Sequence, residues 1–483
     1  MAGTALPGPQ PVYWSWQVAL PLATALCAVG WLGVVADNMG MAVAAAAVTV
    51  ALPLGYGTCR VLAFALRKLD AKDFFSPWIA FPLAYVLWFG FGTIDFVDDP
   101  AHVLYGMFDP MPAAIMGYAA LGLAGYLAGV WVCSRSRDAG WPSPAEFQNR
   151  WRPPALRAVL KVFFVLMLAS YFALVVRMGI PLLSASAAED RLAVGNYGPT
   201  QSVFLCSAWT LMALLPASYW LRQLGKRAAG AGVTVVSVLL LSMGGRGNFC
   251  IGCLTLLIAR HYLKRRIRMR TVLVGTLALF AGCSAYGFLR DTAFRDTGSF
   301  AYLEQIGIPP AVQPLVYAFT YVRGTVATFR DITGTIPAEV PYQYGRLTLL
   351  PLSTLLPGHH EMADMFFKNI LGHDFVGLGQ PATPLGPLYG DFGGWGIVAG
   401  MFVFGMVCGR LYRSMRRRPA TLRALVYAWT MQAGLFGLFG SLFPYITTLF
   451  IPLLWLALDR FLALPPPRLE AVIHGNAECQ PIP

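Results

Sequence analysis

The chain has 483 residues, of which 57% are hydrophobic and only 12% are charged, with a mean hydropathy of +0.58 and a formal net charge of +13. A soluble chain carries about 25% charged residues, so this composition excludes a soluble enzyme with one anchor, a disordered chain and a secreted disulfide scaffold. Apolar blocks long enough to cross a bilayer recur along the chain, which predicts an all-α polytopic integral membrane protein.

Stretches of about 20 apolar residues predict about twelve transmembrane helices. In chain order they lie near Trp14–Val35, Met41–Thr58, Trp78–Ile94, Met111–Val132, Leu160–Val176, Gln201–Leu221, Ala229–Met243, Asn248–Leu263, Thr271–Leu289, Trp395–Tyr412, Leu422–Leu438 and Tyr445–Leu458. The two that meet around Met243 and Asn248 are short for spans and suit a tight hairpin.

The predicted organisation is asymmetric. Nine spans occupy residues 1–289, one large periplasmic loop occupies 290–387, three spans occupy 388–463, and a disordered cytoplasmic tail occupies 464–483. Connections longer than about 15 residues are usually functional, so the loop is expected to carry the site. Within it, Val312–Phe329 is moderately apolar and suits a re-entrant helix.

A short amphipathic helix is predicted in the same loop, ending at Gly372. Met362, Met365, Phe366 and Ile370 share one face, whereas His360, Glu361, Asp364 and Lys368 fall on the other. The pattern suits a helix lying on the membrane surface, and it equally suits a lid packed on the spans.

The distribution of charge predicts the orientation. With both termini in the cytoplasm, most Lys and Arg residues fall at cytoplasmic ends of spans, including the clusters Lys264–Arg270 and Arg413–Arg418. This is the positive-inside pattern of membrane proteins. Because the basic clusters adjoin spans, no nucleic-acid partner is expected.

Several motifs of other chemistries do not occur. The sequence has no P-loop, no G-x-S-x-G and no H-E-x-x-H, which disfavours an ATP-driven pump, and no cofactor is expected. Cys250 and Cys253 form a C-x-x-C inside an apolar helix without a partner pair, so neither a disulfide nor a metal site is predicted. The middles of the spans carry almost no ionisable groups, which disfavours an ion-coupled transporter.

Arginines on the outward side are the strongest chemical feature. They are Arg191, Arg246, Arg290, Arg295, Arg323, Arg330 and Arg346. A guanidinium binds pyrophosphate through two parallel hydrogen bonds, although neighbouring carboxylates, as in Arg330-Asp331, leave local ion pairing as an alternative. Arg246 favours function, because the glycines around it in Gly244-Gly245-Arg246-Gly247 let a ligand approach the backbone closely.

Three stretches together resemble the bacterial oligosaccharide repeat unit polymerases, the O-antigen polymerase (Wzy) family. They are Gly179–Leu183 followed by Glu189-Asp190-Arg191, the Gly244–Gly247 turn, and Thr383–Gly393 running into the glycine-rich span up to Tyr412. The third resembles the family segment in which an "NFG" turn enters a late span, with Asp391 standing where Asn is more usual. An Arg-x10-Gly spacing, found in some of these polymerases, fits Arg323 to Gly334.

The resemblance implies a glycosyltransferase on the periplasmic face of the bacterial inner membrane that polymerises undecaprenyl-pyrophosphate-linked oligosaccharides into O-antigen or exopolysaccharide. It also implies a chain-length regulator and a flippase as partners beside the bilayer itself. Residues expected to bind pyrophosphate or substrate are Arg191, Arg246, Arg290, Arg323 and Arg330. Candidates for the catalytic acid or base are His359, His360, Glu361, Asp364 and Asp391, whereas His102 and His261 are interpreted as structural histidines.

Three other functions remain open. A non-catalytic membrane subunit whose loop docks partners would leave the external arginines dispensable. An O-antigen ligase would use the same donor but transfer the glycan to a lipid A core. A lipid-linked oligosaccharide flippase belongs to a different class and predicts internal repeats and charges lining a central cavity.

Overall fold

A computed structural model describes residues 73–94, 111–134, 151–180, 198–243, 246–268, 313–349, 363–371, 381–442 and 446–462, with a few single positions at 271–282 and 352. Every regular element of these ranges is an α-helix. The helices are α1 (Ala80–Gly92), α2 (Ala113–Ser134), α3 (Pro153–Met178), α4 (Gly198–Trp220), α5 (Lys226–Ser242), α6 (Arg246–Leu263), α7 (Gln313–Thr335), α8 (Ala363–Leu371), α9 (Leu385–Arg417), α10 (Thr421–Gly437) and α11 (Ile446–Leu462).

Four described helices are long and apolar enough to cross a membrane. These segments are Ala113–Cys133, Pro153–Arg177, Gly198–Trp220 and Leu385–Arg417, and α1 is apolar but shorter. The all-helical architecture and these segments are consistent with a helical membrane protein. The two predicted spans before residue 72 lie outside the described residues, as does most of the ninth.

The described helices coincide with nine of the predicted spans, and two differences have physical causes. First, α3 begins at Pro153, earlier than predicted, because proline is well tolerated in the first turn of a helix. Second, α9 has 33 residues and includes the end of the predicted loop. Its backbone bends at Phe392 and at Gly393, where φ is +63° and glycine alone adopts the conformation without strain. Of the predicted hairpin, the two helices are described, α5 ending at Ser242 and α6 beginning at Arg246, whereas Gly244 and Gly245 lie outside the described residues.

Helices α2 and α9 form a closely packed parallel pair. A Cβ built on Gly129 would lie 2.1 Å from the Phe402 carbonyl oxygen, and one built on Gly405 would lie 2.1 Å from the Tyr126 carbonyl oxygen. Glycines at i and i+4 let helix backbones approach where lipid offers no hydrophobic drive for association. The pair therefore depends on the absence of side chains at these positions.

The opposite side of the bundle is filled by three tryptophans. Trp429 lies between Trp209 and Trp455, with ring centroids 5.3 and 5.7 Å away. Each indole N–H donates to an oxygen: Asn248 O at 2.9 Å from Trp209, Thr448 O at 2.9 Å from Trp429 and Thr210 Oγ1 at 3.2 Å from Trp455. These bonds satisfy the polar groups of side chains that are otherwise fully buried.

Candidate functional site

Helix α7, from the predicted loop, packs against one end of the bundle. The Phe329 ring lies 6.2 Å from that of Tyr118 in α2 and 6.1 Å from that of Tyr389 in α9. Trp88 of α1 donates its indole N–H to Thr325 Oγ1 at 3.0 Å. Since α2 and α9 begin here and α1 ends here, the predicted loop is joined to this end, which we call the loop end.

An open cavity of about 520 Å³ lies at the loop end. Its lining comes from the start of α2, the end of α7 with the turn that follows, and the end of α8. The residues are Pro112, Arg330, Asp331, Thr333, Gly334, Thr335, Glu339, Ile370 and Leu371. One guanidinium and two carboxyl groups thus share a cavity with apolar side chains, which is the composition of a binding site for a charged ligand with an apolar part.

Arg330 is ion-paired within this cavity. Its Nε donates to Asp331 Oδ1 at 2.7 Å, and its Nη2 lies 2.7 Å from the same oxygen. The pairing with the adjacent carboxylate is the alternative that the sequence left open for Arg330. Both side chains nevertheless line the cavity, so a stronger anion such as a diphosphate has access to the guanidinium.

Arg323 is fully buried and connects two helices. Its Nη1 donates to the carbonyl oxygen of Gly92, at the end of α1, at 2.9 Å. A Cβ on Gly92 would lie 2.5 Å from Val326 Cγ2, so α7 and α1 are in close contact at this level. The predicted contact of Arg323 with pyrophosphate stays a prediction, and in the described structure this side chain holds α7 on α1.

Asp391 is also fully buried, and its carboxylate holds the segment 341–349 in place. Oδ1 accepts the Leu347 N–H at 3.0 Å and Oδ2 accepts the Thr348 N–H at 2.7 Å. The Tyr344 N–H donates to the Asp391 carbonyl oxygen at 3.2 Å. With both carboxylate oxygens bound to backbone and no exposed surface, Asp391 has the geometry of a positioning residue rather than of the predicted catalytic group.

Replacing Asp391 with alanine is therefore expected to release the segment 341–349 from α9. Two backbone N–H groups lose a charged acceptor, at about 1.5–3 kcal/mol per bond. Arg346, exposed in this segment, provides the measurement, because its cleavage by trypsin should become faster in Asp391→Ala. Asp459→Ala, in α11, should leave cleavage at Arg346 unchanged, and equal rates in both variants would contradict the anchoring role.

Helix α8 packs on the bundle. Ala363, Phe366 and Phe367 are buried, and the Phe367 ring lies 3.6 Å from the positions that Cβ atoms on Gly386 and Gly390 of α9 would occupy. Of the two interpretations left open for this helix, the described contacts favour the packed lid over the membrane surface. The buried face is centred on Phe366 and Phe367, so Met365 is only half-buried, unlike the predicted face.

Asp364 lies at the edge of that buried face. Desolvation by its surroundings raises the pKa of the Asp364 carboxyl to about 7. Leu371, which lines the cavity, follows seven residues later and so lies on the same side of α8, about 10 Å further along the axis. A carboxyl group that changes protonation near neutral pH thus lies on the helix whose other end lines the cavity.

Other predicted site residues are only partly placed. Arg191, Arg290, His359, His360 and Glu361 lie outside the described residues. Of Arg246, the structure describes the backbone, at the start of α6. A Cβ on the adjacent Gly247 would lie 3.1 Å from the Phe436 ring, which is linked through Phe439 to Tyr321 of α7. Arg246 therefore starts its helix at the loop end.

Glu339 is the residue of the cavity that sequence reasoning missed. It stands four residues beyond the end of α7, and its backbone N–H donates to Thr335 O at 2.8 Å. No motif or spacing marks it, since only the turn after Thr335 brings it back to Arg330. The only sequence signal for Glu339 is that a carboxylate follows a helix that carries an arginine, Arg330.

A second polar cluster lies at the opposite end of the bundle. His261 Nε2 is 2.9 Å from Asp73 Oδ1, and its Nδ1 accepts the Ile267 N–H at 3.1 Å. Tyr262 donates its hydroxyl to Asp73 Oδ2 at 2.8 Å. His261 is buried with partners at both nitrogens, in agreement with its interpretation as a structural histidine.

The candidate site consists of protein side chains at the loop end. Within the described ranges, no three His, Cys, Asp or Glu side chains come together as a metal site. The cavity holds an arginine that can bind an anion, and α8, whose end lines the cavity, carries a carboxyl of raised pKa. In comparisons with known proteins, no family model, no curated protein and no solved structure matches this chain.

Proposed function

We propose that the protein is a glycosyltransferase that polymerises undecaprenyl-pyrophosphate-linked oligosaccharide repeat units on the periplasmic side of the bacterial inner membrane. The proposal combines the resemblance of three sequence stretches to the O-antigen polymerases with the chemistry of the loop end. It includes the finer topology of twelve spans, one large periplasmic loop and two cytoplasmic termini.

The observation that carries the proposal is the combination of Arg330 in an open cavity with Asp364 on α8, the helix whose end lines that cavity. A lipid-linked sugar donor needs a cation for its diphosphate, apolar surface beside it, and a base for the acceptor hydroxyl. Arg330 supplies the cation, and Ile370 and Leu371 supply the apolar surface. Asp364 supplies the base. Groups of perturbed pKa next to a cavity are characteristic of active sites.

In the proposed reaction, a hydroxyl of the incoming repeat unit attacks the anomeric carbon of the growing glycan. The Asp364 carboxylate takes the hydroxyl proton as the new C–O bond forms. The bond from the anomeric carbon to the diphosphate oxygen breaks, and undecaprenyl pyrophosphate leaves with the electron pair. Arg330 stabilises the charge that develops on this leaving group, a contribution of about 3–4 kcal/mol for a well-placed donor.

Asp331 has a defined role in this scheme. Its carboxylate holds the Arg330 guanidinium through two contacts of 2.7 Å. A diphosphate carries more charge than a carboxylate and binds the same planar group through two oxygens. Asp331 therefore orients the guanidinium before the donor arrives and is displaced by it.

The ligase and flippase alternatives differ in what they require. A ligase would use the same donor site with a different acceptor, and a flippase would need a charged pathway through the middle of the bundle. In the described residues, the open cavity with Arg330 lies at one end of the helices instead. This position favours a transferase.

The decisive experiment is to incubate purified protein in liposomes with lipid-linked repeat units as the sole substrate. We expect a ladder of glycan lengths without nucleotide sugar or ATP, and a loss of about 10²–10³-fold in rate for Arg330→Ala. Arg227→Ala, an exposed arginine near the start of α5, is the matched control and should retain full activity.

Two outcomes would contradict the proposal. Movement of the lipid-linked unit across the bilayer without a change in glycan length would identify a flippase. A ladder of undiminished intensity from Arg330→Ala would show that the cavity is not the donor site.

A further inference from the structure

An exposed group of large apolar side chains lies beside the bend of α9. Tyr344 is 76% exposed and Trp395 is 83% exposed, and about half of each of Leu349, Leu352 and Phe392 is exposed. We call these five residues the aromatic shelf. Large apolar side chains in contact with one another on a surface mark an interaction site, whereas single ones do not.

Four members of the shelf adjoin one another, and Trp395 follows Phe392 by three residues on α9. The Tyr344 and Phe392 rings are 6.4 Å apart. A Cβ on Gly345, between them, would lie 3.4 Å from Leu349 Cδ1 and 3.7 Å from Phe392 Cζ. Leu352 follows in the same turn, since its N–H donates to Leu349 O at 2.8 Å.

The shelf is also held rigidly. The Asp391 carboxylate binds the Leu347 and Thr348 N–H groups, and Gln343 N–H donates to Gly390 O at 2.9 Å. The segment 341–349 is therefore attached to α9 along most of its length. Its exposed side chains are presented in fixed positions.

The shelf continues the outward face of a membrane-crossing helix. Between Trp395 and Val407, the exposed residues of α9 are Ala399, Val403 and Val407, at spacings of four. These residues form the stripe of a candidate span that faces away from the bundle.

Helix length places Trp395 at a membrane boundary. Arg417, where α9 ends, is 22 residues from Trp395, or about 33 Å along the helix. A hydrocarbon core is about 30 Å thick, so with Arg417 and its neighbouring arginines at one surface Trp395 reaches the other. Arg410, two turns before the end, reaches the arginine side by extending its long side chain.

We propose that the aromatic shelf is inserted into the headgroup layer of the bilayer and fixes the depth of the loop end. Trp and Tyr are enriched at this layer because their rings are apolar and their N–H or O–H groups reach water. Arg346, exposed in the same segment with its guanidinium 5.9 Å from the Phe366 ring centroid, lies where lipid phosphates are its anionic neighbours. The shelf thereby holds the Arg330 cavity at the height of lipid diphosphates.

The test is a depth measurement that needs no enzymatic activity. A solvent-sensitive fluorescent amino acid is placed at Leu349 or Leu352 of the full chain, and the protein is reconstituted into phosphatidylcholine liposomes. Lipids with a nitroxide on the headgroup should quench it strongly, and lipids with a nitroxide deep in the acyl chain should quench it weakly. The emission should shift to the blue relative to the same probe at Ala338, an exposed position of the segment after α7.

The control at Ala338 should show neither quenching nor a shift. Water-like emission and no quenching at both Leu349 and Leu352 would overturn the proposal. Blue-shifted emission without quenching by either lipid would also overturn it, since the shelf would then be covered by protein. The result is independent of the transferase assay, so the anchor and the enzymatic function can fail separately.

Discussion

Asp364→Asn is expected to lower the rate of polymerisation by about 10²–10⁴-fold, the usual contribution of a general base. The amide cannot accept the proton of the acceptor hydroxyl but fills the same volume at the edge of α8. Wild-type activity should rise with pH and reach half of its maximum near the pKa of Asp364, about 7, because the base acts in its ionised form. The residual activity of Asp364→Asn should lack this rise. Asp459→Asn is the matched control and should keep the wild-type profile.

The same carboxyl predicts how stability depends on pH. Its pKa is about 7 in the folded protein and about 3.9 in an unfolded chain, so the folded protein holds the proton over the window between these values. Stability contributed by Asp364 is therefore present in full at low pH and is lost as the pH rises through this window. The melting temperature of the wild type should fall relative to that of Asp364→Asn between pH 5 and pH 8. Parallel curves, or full polymerase activity in Asp364→Asn, would contradict the role of Asp364.

Gly405→Ala is expected to lower the free energy of unfolding by about 1–3 kcal/mol, the cost of overpacking a closely packed interface. The new Cβ would lie 2.1 Å from the Tyr126 carbonyl oxygen, and a backbone atom cannot move aside as the end of a side chain can. Gly405→Leu should separate the helices, and the purified protein should then elute as aggregates from a sizing column.

A control for this substitution exists in the partner helix. A Cβ on Gly117 of α2 would meet no atom of the described residues within 4 Å, so Gly117→Ala should leave the melting temperature unchanged or raise it slightly. Gly129→Ala should match Gly405→Ala, and the double variant should cost less than the sum, because one separation of the helices relieves both contacts. Equal melting temperatures for Gly117→Ala and Gly405→Ala would show that the close approach is not required.

Hydropathy predicts the helices of this chain well because a membrane span is specified locally, by length and apolar content. It therefore places α1 to α6 and α9 to α11. It does not predict the full length of α9, because the residues from Leu385 to Asp391 are buried by α7 and α8 instead of by lipid. Hydropathy also cannot show whether α8 lies on the membrane or on protein, because an apolar side chain such as Phe366 packs against either surface.

The candidate site residues fall into the same two groups: some are predicted by local sequence, and others depend on contacts made in the fold. Arg330 and Asp364 are selected by residue type and spacing; Arg330 lines the cavity, and Asp364 lies on α8, whose end lines it. Asp391 is selected because of the motif around it, yet its carboxylate anchors a backbone segment, which only the contacts with Leu347 and Thr348 show. Glu339 escapes sequence reasoning because its proximity to Arg330 depends on the path of one turn.

The parallel arrangement of α2 and α9 has a consequence for how the chain is made. Two adjacent helices that run in the same direction cannot be neighbours in sequence, and here α3 to α8 are synthesised between them. During translation, α2 enters the bilayer long before its companion exists, with Gly125 and Gly129 facing lipid or an insertion factor. The interface between α2 and α9 can form only after the ribosome has translated the chain as far as Gly409. Packing of this helix pair is therefore a late event that follows the insertion of α2.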